Sequence, residues 1–252
     1  MQQNGATRVA LVTGAGSGIG RAVARAFLTD GYRVGLVGRR QDALVETAGD
    51  AAEALILPAD VTDPAAVDQV FHQVAERWGR LDVLFNNAGV TGQSANFADT
   101  DYDDWQSVVD VNLNGALLCA RAAFTMMKAQ QPQGGRIINN GSLAAHTPRP
   151  HSVAYTATKH AITGLTKSIE LDGRPYGIAA SQIDIGNADT GLVDRLKAGG
   201  GALQGDGRRI PEPSFPVEEV GEAVLFMANR RPGTTVSSLM IMAQGMPFVG
   251  RG

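Results

Sequence analysis

The sequence predicts an α/β fold: a single doubly wound domain with a parallel sheet between layers of helices. Three observations carry that expectation. Short β-branched runs alternate with longer amphipathic stretches from Val9 to about Met242. A glycine-rich turn joins the first run to the first amphipathic stretch. No break in composition divides the 252 residues, so one domain over 1–252 is expected.

Arg8–Thr13 (RVALVT) is the first strand, a near-continuous apolar run of the kind buried on both faces of a parallel sheet. Ile19–Leu28 carries helical spacing, and Gly31 closes that helix before a second strand at Arg33–Val37. Ala54–Leu57 reads as the third strand. Asp63–Pro64 starts the next helix, with Asp as N-cap and Pro at the first helical position. That helix covers Pro64–Trp78 and ends at Gly79. Leu81–Phe85 and Arg136–Asn139 read as strands around a single long helix, Trp105–Lys128. A helix near Ala154–Leu171, a strand near Ile178–Ile185, a helix at Val217–Met227 and a strand near Ser238–Met242 complete the alternation, with right-handed crossovers. The stretch 191–216 stands apart, because GGGALQGDGRR and PEPSFP are too rich in Gly and Pro for a core element. Long loops in compact domains usually carry function, so this one reads as a lid over the substrate, with an ordinary surface loop as the plain alternative.

Apolar residues make up 44% and charged residues 19%, as in soluble globular chains. A formal charge of -3 supplies no basic field, which argues against nucleic-acid and acidic-membrane partners. The one cysteine, Cys119, has no internal disulfide partner, which fits a reducing, cytoplasmic location. It lies in GALLCARAAF, where a buried thiol is expected rather than a nucleophile. The start, MQQNGATR, is polar, and TGAGSG interrupts the apolar run after it, so neither a signal peptide nor a membrane span is expected. His72, His146, His151 and His160 show no metal-ligand spacing, and no metal is expected. His146 and His151 fall between Ser142 and Tyr155, near the expected substrate pocket.

TGAGSGIG, residues 13–20, follows TGxxxGxG rather than the commoner GxGxxG. Glycines let a backbone approach a pyrophosphate, and the helix N-terminus offers unpaired N–H donors to it. Gly14, Ser17, Gly18, Ile19 and Gly20 are therefore candidate dinucleotide contacts. NAD-binding units usually carry an acid about twenty residues farther on, against the ribose 2′-hydroxyl. Here the second strand ends Val37-Gly38-Arg39-Arg40. Guanidiniums suit a 2′-phosphate, so Arg39 and Arg40 point to NADP(H) over NAD(H). A solvated arginine pair at a helix start remains the alternative.

Tyr155 and Lys159, in YTATK, lie four residues apart and share one helix face, with Ser142 thirteen residues upstream at a strand end. A free phenol ionises near ~10, and a neighbouring cation favours the ionised form, so the pair suits proton transfer at neutral pH. YxxxK alone is a weak signal.

TGAGSGIG, NNAG at Asn86–Gly89, Asn112 in VNLNG, Ser142 and YTATK occur together in the order of the short-chain dehydrogenase/reductase family, and the chain resembles that family from Val9 to about Met242. The resemblance implies a Rossmann domain of about seven parallel strands flanked by helices on both faces. It implies that Tyr155 exchanges the proton at the substrate oxygen during hydride transfer and that Ser142 hydrogen-bonds that oxygen. Lys159 would hold the nicotinamide ribose and favour the phenolate, and Asn112 would anchor a water that relays protons through Lys159. Asp60, followed by Val61, would contact the adenine, while Asn87 and the Ala88–Gly89 backbone pass beside the adenosine ribose. It further implies a homodimer or homotetramer. Asp60 as a helix cap and Asn112 as a buried hydrogen-bonding kink remain the bland readings.

Two departures stand out. The family commonly has Pro-Gly after the sixth strand, with Thr four residues past the Gly. This chain has Ile185-Gly186 and Thr190, so Gly186 and Thr190 stay candidate dinucleotide contacts while the fixed φ of proline is gone. The tail MIMAQGMPFVGRG replaces the usual Asp-Gly-Gly ending, and Met246–Phe248 is apolar enough to bury, against a neighbouring subunit for example. The resulting expectation is an NADP(H)-dependent oxidoreductase acting on a small carbonyl or secondary-alcohol substrate, most simply a neutral ketone. Its pocket would draw on Ser94–Asn96, Leu143–Ala145, His151, Asn187 and the lid. An NAD-dependent alcohol dehydrogenase and a non-catalytic dinucleotide sensor stay open.

Overall fold

A computed structural model describes residues 7–191, 193 and 199–248. Its β-branched runs form β1 (Val9–Thr13), β2 (Arg33–Gly38), β3 (Ala54–Pro58), β4 (Val83–Asn86), β5 (Gly135–Asn140), β6 (Ile178–Ile185) and, near the end, β9 (Ser238–Ile241). They make one seven-stranded sheet in the order β3-β2-β1-β4-β5-β6-β9, with every neighbouring pair parallel. The order reverses between β1 and β4. In open sheets of this kind the crevice at that reversal, outside the carboxyl ends of the strands, is where ligands bind.

Alternate residues of each strand serve the two faces. Ala10 and Val12 of β1 pack with α1 (Gly18–Thr29), Leu44 of α2 (Gln41–Ala48) and α7 (Glu218–Ala228). Val9 and Leu11 pack on the other side with α3 (Pro64–Trp78) and α5 (Ala116–Ala129). Leu11, Leu84 and Ile137 are completely buried, and truncating such a side chain to alanine costs about 2–5 kcal/mol. Asp63 caps α3 by accepting from the Ala65 N–H at 2.9 Å, and Gly79 ends that helix at φ 73°, as the sequence predicts. Cys119 is buried on α5, which pushes its thiol up to about 12, out of nucleophilic range.

The structure corrects three expectations. Helix α2 is absent from the sequence-based reading, since it has two turns and only Ala43, Leu44 and Thr47 buried. The single helix expected over Trp105–Lys128 is α4 (Tyr102–Val109), a wider π turn at Asp110–Gly115, and then α5. Asn112 sits in that π turn with its amide turned away to the Val90 backbone. The 191–216 segment, expected as a lid with no regular secondary structure, carries a small antiparallel hairpin, β7 (Ala202–Leu203) and β8 (Arg209–Ile210). Its return is stitched to the end of β6 by Asp189 N–H to Phe215 O at 2.8 Å and Phe215 N–H to Asn187 O at 3.0 Å. Residues 192 and 194–198 of the expected lid lie outside the described residues, as do 1–6 and 249–252.

Helix α6 (Val153–Gly173) follows β5 and carries both Tyr155 and Lys159. No helix among the described residues is long and apolar enough to cross a membrane.

Candidate active site

The carboxyl ends of β1, β2, β4 and β5 open into a groove of about 900 Å³. The glycine turn forms its floor. Gly14 has φ +67°, and a Cβ there would come within 2.9 Å of Asn87 Nδ2 and 3.0 Å of Ala88 Cα. At Gly20 a Cβ would meet the Gly14 carbonyl oxygen at 2.2 Å. Only glycine permits this close fold at the start of α1, and the bare backbone it leaves is the cradle a pyrophosphate requires. Ser17, Gly18, Ile19, Arg39, Arg40, Asp60, Val61, Asn87, Ala88, Gly89 and Thr190 all line the same groove.

Several candidates there also brace the sheet. Thr13 Oγ1 accepts from the backbone N–H groups of Asn87 and Ala88 at 2.8 and 2.9 Å, and Asn87 Nδ2 donates to Thr13 O at 2.8 Å. Asp60 Oδ1 accepts from Thr62 N–H at 3.0 Å and from Thr62 Oγ1 at 2.8 Å. The Thr62 backbone N–H holds that carboxyl below the usual carboxylate range, aided by the Thr62 hydroxyl and the charge of Arg39 and opposed by partial burial. Asp60 thus makes a local turn while facing the groove.

A second cavity of about 300 Å³ adjoins the groove, and Ile19, Asn140, Tyr155 and Thr190 line both. Ser142 lines the second cavity and Lys159 the groove. Lys159 is 5% exposed, donates to the Asn140 carbonyl oxygen at 2.7 Å, and holds its Nζ 5.5 Å from the centre of the Tyr155 ring. Ser142 caps the short 3₁₀ turn Leu143–Ala145, its Oγ accepting from Ala144 N–H at 3.1 Å. That contact uses a lone pair and leaves the hydroxyl proton free to donate.

Two candidates sit elsewhere than expected. Asn112 lies behind the wall: its Oδ1 accepts from Val90 N–H and its Nδ2 donates to Val90 O, both at 2.8 Å, with Thr158 Oγ1 at 3.3 Å from Nδ2. Gly186 lines the second cavity, not the groove, where a Cβ would crowd Met242 Cβ and Met246 Sδ at 2.8 Å.

Of the expected pocket residues, Ser94, Leu143, Ala144, His151 and Asn187 line the second cavity. Asn96 instead caps a 3₁₀ turn at Phe97–Asp99, accepting from Ala98 N–H. His151 has φ 61°, a strained backbone for a residue with a side chain, just before α6. His146 turns away to Asp184, with Nε2 2.8 Å from Oδ2. The tail packs on its own chain: Met246 joins Leu143 and Ala243, with Phe215, Met242 and Phe248 around them. Ile185, where the family commonly has proline, continues β6 and pairs with Ile241 of β9.

Sequence reasoning missed four residues. Asn140 donates through Nδ2 to Asn87 Oδ1 at 2.8 Å while its carbonyl holds Lys159. Asp184 is 1% exposed beneath Ser142. Arg149, in the cavity wall, donates to Glu212, and Asn187 Nδ2 donates to the same carboxylate at 3.0 Å. The available signal was polarity in a buried strand, for Ser181, Gln182 and Asp184 interrupt β6. Among the described residues, no three or more His, Cys, Asp or Glu side chains gather as a metal would require.

Residues 8–199 match the short chain dehydrogenase family. A 3beta-hydroxysteroid dehydrogenase of Mediterraneibacter gnavus is 40% identical over 197 residues, covering 76% of this chain and 70% of that protein. A 3-ketoacyl-(acyl-carrier-protein) reductase of Brucella melitensis, solved in complex with NADH, superposes with a TM-score of 0.81 at 26% identity, covering 93% of this chain and 96% of the other. An actinorhodin polyketide ketoreductase variant solved with NADPH gives 0.80 at 28% identity, covering 94% and 96%. With this sheet order, this glycine cradle and a match over most of its length, the chain belongs to the short-chain dehydrogenase/reductase family and is an oxidoreductase.

Proposed function

We propose that the chain is an NADP(H)-dependent oxidoreductase that interconverts a ketone and a secondary alcohol, chiefly as a ketone reductase. The observation that carries this reading is the position of Tyr155, which lines both the groove and the adjoining cavity, one helical turn from Lys159. A phenol at that junction reaches a substrate oxygen from the cavity side while the dinucleotide lies along the groove.

In this reading Gly14, Ser17, Gly18, Ile19 and Gly20 receive the pyrophosphate, with Thr190 facing Gly18 from across the groove. Asp60 and Val61 take the adenine, and Asn87–Gly89 the adenosine ribose. When bound, the nicotinamide ring supplies or takes up the hydride. Ser142 donates its free hydroxyl proton to the substrate oxygen and aligns it for Tyr155, which gives or takes the proton there. Lys159, steadied by the Asn140 carbonyl, holds the nicotinamide ribose and favours the phenolate. Asn112 acts from behind by holding the Val90 backbone in the loop after β4 and the α6 residue Thr158.

NADP(H) is favoured because Arg39 and Arg40 line the groove immediately after Gly38, where an NAD-type site would carry a carboxylate. The relatives do not decide this, since one was solved with NADH and the other with NADPH. Leu143, Ala144, Leu203, Met246 and Phe248 make the cavity largely apolar, which suits a neutral carbonyl compound. A relative named for a hydroxysteroid fits that character. Val193, Ala202, Leu203 and Arg209 line this cavity, which supports a lid role for the described part of the 191–216 segment, and the chain works as one domain. Half-exposed Phe226 on α7 and Met240 on the free edge strand β9 support a homodimer or homotetramer. The buried thiol of Cys119 is compatible with the cytoplasm.

A panel of aryl and alkyl ketones and their alcohols, assayed with NADPH and NADH, tests the reading. Faster turnover of neutral ketones with NADPH is the expected result. A preference for NADH would move the protein to the NAD-dependent alternative, and dinucleotide binding without turnover of any substrate would make it a sensor.

A further inference from the structure

We propose that Asp184, with His146 as its partner, is a positioning residue for Ser142 and for the Phe248 wall of the cavity; this rests on the oxidoreductase reading above. Asp184 is 1% exposed, and each oxygen is engaged. Oδ1 accepts from the Ser142 backbone N–H at 2.9 Å and from Gln182 Nε2 at 2.7 Å. Oδ2 lies 2.8 Å from His146 Nε2, and since the carboxylate can only accept, that nitrogen carries the proton. A carboxylate this deep is tolerable only with such a set of donors.

Gly141 is the counterpart of this arrangement. A Cβ at that position would fall 2.0 Å from Asp184 Oδ1 and 2.8 Å from Gln182 Nε2. The carboxylate can therefore reach the Ser142 N–H only because the preceding residue has no side chain. Parallel pairing of β5 with β6 brings the two together, Asn140 opposite Ile183. Ser142 is then held twice, by its N–H into Asp184 and by its Oγ capping Ala144. The candidate catalytic hydroxyl has little room to turn.

His146 extends the device outward. Its ring is 41% exposed, and it meets Phe248 edge-to-face with centroids 6.3 Å apart. Phe248 lines the cavity, so one imidazole links the carboxylate under Ser142 to the wall against which a substrate packs. Asp184 sets the orientation of the hydroxyl, and His146 sets the tail.

The test is a double-mutant cycle of Asp184→Ala and Ser142→Ala, with His146→Ala alongside, on the ketone that the wild-type chain turns over best. Dinucleotide affinity and thermal unfolding are measured for each variant. D184A is expected to lower kcat about tenfold with dinucleotide affinity unchanged, and in the S142A background that loss shrinks to under about threefold. D184N, which keeps an acceptor for the Ser142 N–H, recovers most of the kcat. H146A raises the ketone KM about threefold to tenfold at nearly constant kcat. If D184A does not fold, Asp184→Ser runs the same cycle. A wild-type kcat in D184A, or an undiminished loss in the S142A background, overturns the proposal while leaving the oxidoreductase reading intact. Absence of turnover in the wild-type chain removes that reading and the proposal with it.

Discussion

The groove and the cavity beside it are built by different means. The groove is made chiefly by short stretches at the ends of β1, β2, β3 and β4, completed by Asn140, Tyr155, Lys159 and Thr190, and its defining surface is backbone exposed by glycine. The cavity is made by side chains from segments far apart in the chain: the turn after β5, the end of β6, the hairpin and the tail. A common ligand is met by local geometry, whereas a particular substrate is met by long-range contacts. The first kind of site survives changes in distant sequence, and the second does not.

The sharpest way to break this division is at its boundary. Tyr155→Phe removes the phenolic hydroxyl at the junction of the two spaces, and kcat is expected to fall about 10³-fold with dinucleotide affinity unchanged by fluorescence titration. Unaltered turnover would sink the assigned role. Gly14→Val attacks the groove alone. A side chain at φ +67° with Asn87 Nδ2 at 2.9 Å is strained and obstructed, so dinucleotide binding should weaken by about 10²-fold and stability by about 1–3 kcal/mol. Calorimetry of the variant with and without dinucleotide measures both.

Replacing Arg39 and Arg40 by Leu sharpens the comparison within the groove. Loss of charged hydrogen bonds to a 2′-phosphate should raise the KM for NADPH about 10-fold to 100-fold and leave that for NADH nearly unchanged. Phe248→Ala probes the cavity alone: the ketone KM should rise about threefold to tenfold with the dinucleotide KM constant, in keeping with loss of a partly buried ring.

The smallest effect concerns pH. The Asp60 carboxyl is held below its ordinary range, so the stability it contributes is complete above the unfolded carboxylate value of about 3.9 and is lost as pH falls through the lower folded value. Unfolding curves of Asp60→Asn and the wild type should therefore differ by a constant amount from neutral pH down to about 5 and converge only in strong acid.

The same division explains what could be read from the amino acids alone. The strands, the glycine cradle and the Tyr155–Lys159 spacing depend on residues close in sequence, and each lies where the pattern predicts. Helix α2 escaped because its eight residues bury too few side chains to set a period. Asn112 was expected in a helix, but only the structure shows the π turn that frees its amide for Val90. Asp184 and Ser142 are 42 residues apart, and Arg149 and Glu212 are 63 apart, so no local pattern links them. Their pairing follows from strand register and from the path of the hairpin, which are properties of the folded sheet.

The placement of β9 has a consequence for how the two spaces can be separated. Among the described residues this edge strand pairs only with β6, and Met246 and Phe248, which wall the cavity, follow it within a few residues. None of the strands that frame the dinucleotide berth rests on β9. Prising β9 off the sheet edge should therefore leave a protein that still captures nucleotide but presents an open, unselective mouth to its second reactant.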